Sequence, residues 1–179
     1  MCALLFALFL VSCATKLPYS INYPLTQQTF SSRDETFFGL VPHGWFASSV
    51  DTLAPALLVW LVREDFSAVL TVRELHLDQL SSKRVDKDGL RLLASISMAA
   101  HNESSQAHST QSPAEYSLKG KTFCSYEVNE NDVQKRIVVF SAKRKYFECE
   151  ALPIKGSWSR ENVTELFSAQ QAMLASLVF

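Results

Sequence analysis

The four histidines are the side chains of this sequence best suited to acid–base or metal chemistry. They are His43, His76, His101 and His108. A zinc-type site needs several His, Cys or carboxylate ligands, and no histidine here has a His or Cys partner at a spacing typical of such sites. We therefore predict no metal-binding residues, and we expect His101 and His108 to lie at the ends of a solvated polar loop.

One histidine has an aromatic neighbour. His43 precedes Gly44 in a predicted turn, and Trp45 follows directly. A cleft near His43 and Trp45 would suit an envelope hydrolase or a receptor for a small ligand, which we keep as an alternative function. The alternative is that Trp45 is a core residue, as tryptophan more often is.

Three short clusters of charged side chains are candidate sites. Asp34–Glu35 and Glu64–Asp65 are adjacent carboxylates, and we expect both pairs to be solvated because acid–base catalysis needs two carboxyl groups in different environments. Lys143, Arg144 and Lys145 form a basic tip between two predicted strands. This tip is our candidate partner-binding site for a polyanionic partner or anionic headgroups. The alternative is a hairpin turn whose charge protects against aggregation.

The glycines exclude the common nucleotide-binding loops. Gly39, Gly44, Gly89, Gly120 and Gly156 are the only glycines, and they cannot form a G-x-G-x-x-G or P-loop motif. The sequence also lacks the G-x-S-x-G, H-E-x-x-H and C-x-x-C motifs. We predict no catalytic residues and no cofactor, and we expect a binding protein rather than an enzyme.

The elements that must position these residues are mostly strands. Two short strands are predicted around Pro42 and Gly44, a hairpin over 56–72, and three strands over 120–153. Both faces of the apolar strand 56–62 should be covered, which would bury Trp60 beneath a helix. A helix is predicted over 89–100, a polar loop over 101–116 and a last helix after Ser159. This order predicts an α+β fold.

The N-terminal residues have the pattern of a secretion signal. Ala3–Val11 are nine consecutive apolar residues, too few to span a bilayer but suited to the apolar region of a signal peptide. The following Leu10–Cys13 segment resembles the lipobox of bacterial lipoproteins, although no Lys or Arg precedes the run. The alternative is a short buried element in which Cys13 is a small hydrophobic residue.

The lipobox resemblance implies a lipid anchor and a location in the cell. Cys13 would carry palmitate-type acyl chains and become the mature N-terminus, and two or more chains hold a protein firmly to a membrane. Because Ala14 rather than Asp follows, the resemblance favours the periplasmic face of the outer membrane.

We divide the chain into a signal peptide (1–12), a lipidated tether (13–35) and a single α+β domain (36–179). The segment 14–35 is rich in polar residues and proline and shows no sustained period, which is typical of a linker. The net charge of −1 argues against a nucleic-acid partner.

Cys124 and Cys149 are the cysteines that remain after processing. They lie in the first and last of three consecutive predicted strands. If these strands form a meander, the two cysteines are about 9.6 Å apart, beyond the reach of a disulfide. We therefore favour two buried thiols, and a different strand order would leave a disulfide open.

Three segments carry a family resemblance: LVPHGWF (40–46), WLVREDFSAVLTVREL (60–75) and LFSAQQAMLASL (166–177). Together they resemble the superfamily of PsbP-type photosystem II extrinsic proteins, Mog-type Ran-binding factors and bacterial DcrB-like lipoproteins. The resemblance covers about 36–178, and only Pro42–Trp45 is motif-like. It implies an antiparallel sheet sandwiched by helices and a non-catalytic binding or assembly role.

The sequence thus predicts a membrane-anchored lipoprotein of the bacterial cell envelope that acts as a binding or assembly accessory. Its expected partners are membrane lipid, through Cys13, and an unidentified envelope protein.

Overall fold

The computed structural model describes residues 17–49, 56–104, 108–109 and 111–179. These residues form ten strands and three helices. The strands are β1 (Leu25–Ser31), β2 (Phe38–Pro42), β3 (Trp45–Ala47), β4 (Leu57–Arg63), β5 (Ala68–Glu74), β6 (His108–Ser109), β7 (Ala114–Leu118), β8 (Lys121–Glu130), β9 (Val133–Ala142) and β10 (Lys145–Pro153). The helices are α1 (Gln79–Asp88), α2 (Leu90–Ser104) and α3 (Arg160–Ser176).

Eight strands form one antiparallel sheet in the order β3-β4-β5-β10-β9-β8-β6, and β7 also pairs with β8. Strands β1 and β2 form a separate two-stranded sheet. The predicted hairpin over 56–72 is β4–β5, and the predicted three-strand meander is β8–β9–β10. Because β10 pairs with both β5 and β9, the hairpin and the meander join into one sheet.

The helices cover the two faces of this sheet. On one face, Phe140 and Phe147 of the central strands pack in one core with Phe167 of α3 and with the β1–β2 hairpin. On the other face, Ile137 and Val139 pack against Leu93 of α2. Alternate residues of each strand point to opposite faces, so each face has its own apolar core. The predicted α+β sandwich is confirmed.

The middle of the chain contains more regular structure than we predicted. A helix over 89–100 was expected, whereas two helices meet at Gly89, whose φ of 82° ends α1. Asp78 caps α1, because its carboxylate accepts hydrogen bonds from the backbone N–H groups of Leu80 and Ser81 in the first turn. Helix α1 buries only Val85, so its sequence carries no apolar period that could predict it. The predicted polar loop over 101–116 contains β6 and part of β7.

The segment predicted to be a tether contains β1. This strand pairs with β2 from Leu25 opposite Pro42 to Ser31 opposite Phe38, with a register shift between Leu25 and Thr29. Phe30 is buried in the core beneath α3, and this single aromatic contact is too little to produce an apolar period in the sequence. The division into signal peptide, tether and domain stays a prediction.

The environment of Trp60 also differs from the prediction. Trp60 is half-buried, because α2 lies over β8 and β9 rather than over β4. A register shift between Leu57 and Val59 lets both Leu58 and Val59 reach the core beneath α3.

Cys124 and Cys149 are free and buried, as predicted. They lie in different cores, Cys124 beneath α2 and Cys149 beneath α3. Burial raises the pKa of both thiols to about 12, so both remain protonated and unreactive at neutral pH. No helix among the described residues has the length and apolar composition needed to cross a membrane.

The different burial of Trp45 and Trp60 predicts different costs of truncation. Trp45 is only 4% exposed in the core beneath α3, so we expect Trp45→Ala to lower the free energy of unfolding by about 3–5 kcal/mol. Trp60→Ala should cost about half as much, because its ring keeps part of its contact with water. Denaturant unfolding followed by circular dichroism measures both. Equal costs, or a larger cost at Trp60, would contradict this assignment of the core.

Candidate functional site

The connection between β9 and β10 consists of two basic residues in an unfavourable backbone conformation. Lys143 and Arg144 have φ values of 46° and 64°, and the flanking Ala142 and Lys145 pair across the hairpin. Positive φ at both central positions is the pattern of a type I′ turn, for which Asn-Gly is preferred. A left-handed conformation costs roughly 1–2 kcal/mol for most other residues. This turn therefore keeps its positive charge at a cost in stability.

Lys145, the third basic residue of the predicted tip, is already paired. Its ammonium lies 2.8 Å from a carboxylate oxygen of Asp34 and 3.1 Å from one of Glu74. The hydrogen bond to Asp34 has the largest effect on the pKa of Lys145, and together with that to Glu74 it raises this pKa. Lys145 thus connects β10 to β5 and to the β1–β2 connection, and its charge is balanced within the domain.

Asp34 has a structural role that the sequence did not predict, since we expected it to be solvated. It accepts hydrogen bonds from the hydroxyls of Ser32 at 2.8 Å and Thr36 at 2.6 Å, besides that from Lys145. Partial burial opposes ionisation of Asp34, but these three donors hold its pKa well below the usual value. Lys143 donates to the Glu35 carbonyl at 3.3 Å. The β1–β2 connection therefore supports the basic turn.

A groove lies beside this turn. Its larger cavity, about 550 Å³, is lined by Ser82, Asp86, Ser141, Ala142, Lys143, Arg144, Tyr146 and Phe179. A smaller cavity of about 180 Å³ shares three of these residues and adds Glu74, Leu75, His76, Leu77 and Lys145. We call the two cavities together the tip groove. It brings His76 and Phe179 next to the predicted basic residues, which the sequence did not indicate.

The tip groove combines an aromatic surface with unbalanced positive charge. Phe179 stacks on Phe140 at 6.2 Å between ring centroids, and the Lys121 ammonium lies 5.5 Å from the Phe179 ring. Arg144 makes no hydrogen bond or ion pair with any residue that the structure describes. A guanidinium without an internal partner is suited to bind a carboxylate or phosphate in two-pronged geometry.

Two acidic side chains line the tip groove: Glu74, which is paired with Lys145, and Asp86. The Tyr146 hydroxyl donates to the Asp86 carboxylate of α1. Burial, and then this hydrogen bond, raise the pKa of Tyr146. Tyr146 therefore fixes α1 against the hairpin and stays neutral.

The burial of Trp45 in the core does not support the alternative cleft near His43 and Trp45. His43 is exposed in the β2–β3 turn, where its carbonyl accepts a hydrogen bond from Tyr23 at 3.0 Å. Trp45 is buried in the core, and neither residue lines the tip groove. The predicted anchor Cys13 lies outside the described residues.

His101 belongs to a buried polar cluster rather than to a solvated loop. Its Nε2 atom lies 3.0 Å from the carboxylate of Glu148, which is 1% exposed and also binds Arg73 at 2.7 Å. Burial opposes ionisation, but His101, Arg73 and Ser97 lower the pKa of Glu148. The Ser97 hydroxyl donates to Glu148 and not to the histidine, so the cluster lacks the serine–histidine pair of a nucleophilic site. It holds α2 against the sheet.

No protein-family model matches the chain, and no curated protein sequence matches it. Solved structures do share its fold. The solution structure of cyanobacterial PsbP (CyanoP) from Synechocystis sp. PCC 6803 has a TM-score of 0.54 at 14% identity, covering 84% of this chain and 91% of that chain. The Saccharomyces cerevisiae Ran-binding protein Mog1p has a TM-score of 0.55 at 11% identity, covering 86% and 95%. The chain therefore has the PsbP/Mog1 fold, as the sequence resemblance predicted.

The contacts of Asp34 predict how stability depends on pH. The pKa of Asp34 is lowered by folding, so its contribution is present above the unfolded pKa, about 4, and is lost as the pH falls towards the folded value. We expect Asp34→Asn to lower the free energy of unfolding by about 1 kcal/mol at pH 7. The difference should shrink at pH 3 in urea unfolding experiments.

Glu64→Gln is the matched control for this change, because Glu64 is an exposed carboxylate in another turn. It should leave stability unchanged at both pH values. A cost of Asp34→Asn that stays constant between pH 7 and pH 3 would show that the ionised carboxylate is not the stabilising group.

Proposed function

We propose that the protein is a lipid-anchored accessory of the bacterial envelope that binds an envelope protein through the tip groove. The observation that carries this proposal is the turn Lys143–Arg144, where two basic residues adopt left-handed conformations that Asn-Gly would adopt at lower cost. Strained residues of this kind concentrate at functional positions. The fold supports a binding role, since one protein that shares it is named as a Ran-binding protein.

The partner's chemistry follows from the groove. Among the described residues Arg144 has no hydrogen-bond or ion-pair partner and Lys143 binds only a carbonyl oxygen, while Phe179 offers an aromatic surface. A partner segment that carries a carboxylate next to an apolar side chain would fit both features. Aromatic and arginine side chains at the centre of a contact commonly dominate its binding energy. Lys145 contributes by holding the turn in place rather than by direct contact.

The location rests on the N-terminal pattern. An apolar run that ends in Leu10–Cys13 supports lipidation of Cys13, and Ala14 supports transfer to the periplasmic face of the outer membrane. Anchoring would restrict the domain to a thin layer next to the membrane, so a moderate affinity of the groove would suffice for its partner.

Replacing both residues of the basic turn distinguishes the effect of its charge from the effect of its backbone strain. In Lys143→Asn/Arg144→Gly the left-handed conformations become favourable, so the free energy of unfolding should rise by about 1 kcal/mol. The variant should nevertheless lose its partner. We would crosslink whole cells, solubilise the envelope in detergent and quantify the proteins that co-purify with each variant.

The β8–β9 turn offers a control of the same geometry. Asn131 and Asp132 have φ values of 49° and 63° and lie at the other end of β9. Asp132→Gly should stabilise the domain similarly and keep the partner. If the basic turn can be replaced by Asn-Gly without loss of the co-purifying protein, the proposed function is wrong.

Replacement of Cys13 tests the anchor. Cys13→Ser should abolish incorporation of labelled palmitate and move the protein from the detergent phase to the aqueous phase in Triton X-114 partition, since no acyl chain remains. Cys2→Ser is the control, because Cys2 precedes the predicted cleavage site, and it should change neither result. A Cys13→Ser protein that still carries palmitate would refute the assignment of this cysteine.

A further inference from the structure

The residues that precede β1 lie against the body of the domain. Among them, Leu17, Tyr19 and Tyr23 pack on the core beneath α3. We call residues 17–24 the strap. The strap connects the proposed lipid at Cys13 to the folded domain, so its contacts determine how the domain is held at the membrane.

The strap covers a buried cation. Arg136 of β9 is completely buried. Its guanidinium donates to Gln171 at 2.6 Å, to the Tyr116 hydroxyl at 2.9 Å and to Gln170 at 3.0 Å. No carboxylate in the described part of the chain forms an ion pair with it. A buried charge that is surrounded only by neutral groups is costly unless another interaction compensates it.

Two tyrosine rings provide that interaction: Tyr116 of the core, whose centroid lies 5.6 Å from the guanidinium carbon, and, at shorter distance, Tyr19 of the strap. The Tyr19 ring centroid lies 4.9 Å from the Arg136 guanidinium carbon, within the range of a cation–π contact. Its hydroxyl donates to the Glu127 carboxylate at 2.5 Å, and its ring meets the edge of Phe167 at 5.2 Å. Burial, and then Glu127, raise the pKa of Tyr19, so the hydroxyl remains a donor at physiological pH.

Glu127 and Arg136 are direct neighbours across β8 and β9. Opposite charges at such positions are close enough to form an ion pair. Here each of them contacts Tyr19 instead. When Tyr19 leaves, Glu127 can therefore pair with Arg136, and the buried cation gains a compensating charge. The structure shows the docked arrangement, and pairing of Glu127 with Arg136 would satisfy both charges once the strap is released.

The docked strap sets the direction of the domain. Pro18 and Tyr19 line a cavity together with Gln134 and Arg160, near the starts of β9 and α3. The tip groove lies past the other end of β9, which is ten residues long, or about 30 Å away. A domain held by its docked strap would therefore present the tip groove away from the membrane.

We propose that Tyr19 is a releasable latch that sets the reach of the tip groove from the membrane; this rests on the proposed function for the lipid anchor. With the strap docked, only residues 13–16 separate the anchor from the domain, a span of at most about 14 Å. Release adds residues 17–24, and the span rises to about 40 Å. A partner farther from the membrane is reached only by the released form.

The first experiment measures docking without any membrane. In nitrogen-15 relaxation measurements on the purified full chain in detergent, the backbone order parameters of residues 17 and 19–22 should fall from about 0.8 to below about 0.6 in Tyr19→Ala, because the Tyr19 side chain makes the contacts that hold this segment. Tyr19→Phe keeps the ring over Arg136 and should show a smaller decrease. Ile21→Ala is the control, because Ile21 is an exposed side chain of the same strap, and it should leave the order parameters of residues 17, 19 and 20 unchanged.

The second experiment measures reach. A fluorescent donor on Ser141→Cys, beside the tip groove, is paired with acceptor lipids in vesicles that carry the lipidated protein; Cys124 and Cys149 are buried and resist labelling. Tyr19→Ala should broaden the distribution of donor–membrane distances and shift its mean, whereas the control Ile21→Ala should do neither.

Order parameters at the wild-type values in Tyr19→Ala would overturn the latch, and so would lower order parameters with an unchanged donor–membrane distance. A wild-type protein that does not stay on vesicles would instead refute the lipid anchor, because the relaxation experiment does not depend on it.

Discussion

The two-residue turn at Lys143–Arg144 fixes the register of β9 against β10, the strands at the centre of the sheet. In this register Phe140 lies opposite Phe147, and Val139 lies opposite Glu148. The first pair faces α3 and the second faces α2. A slip of one residue would move every side chain of one strand to the other face. It would place the Glu148 carboxylate among the aromatic rings of the α3 core, so the short turn and the separation of the two cores depend on each other.

The same register distributes two buried charges. Arg136 lies beneath α3 and is bound by Gln170 and Gln171, whereas Glu148 lies beneath α2 and is bound by Arg73 and His101. Each charge finds its partners only when its helix is correctly placed, because an unsatisfied buried charge costs several kcal/mol. The polar clusters thus specify the position of the helices that the apolar cores hold. The basic turn lies at the surface, outside both polar clusters. The β1–β2 connection supports it through the contact between Asp34 and Lys145.

The sequence predicted the parts of the fold that have strong local patterns. The strands β8, β9 and β10, the β4–β5 hairpin and helix α3 follow from apolar period and turn residues, and the basic turn was visible as a charge cluster. Helix α1 has one buried residue and β1 has few core contacts, so neither segment shows a regular spacing of apolar residues in the sequence. Phe179 and His76 reach the tip groove through contacts between distant segments, which no local pattern encodes. The Arg136 site did have a signal: Gln170 and Gln171 interrupt the apolar face of α3, and a buried amide pair indicates a polar partner on the facing strand.

The claim that the basic turn is the functional surface is tested most directly by crosslinking at defined positions in living cells. A photoreactive residue would replace Ser141, at the end of β9 beside the tip groove. In a second protein it would replace Asn129, an exposed residue near the opposite end of the same hairpin system. The account predicts a discrete crosslinked product from position 141 that disappears when Lys143 and Arg144 are reversed to glutamate, and no such product from position 129. The same product from both positions, or a product at 141 that survives the charge reversal, would contradict it.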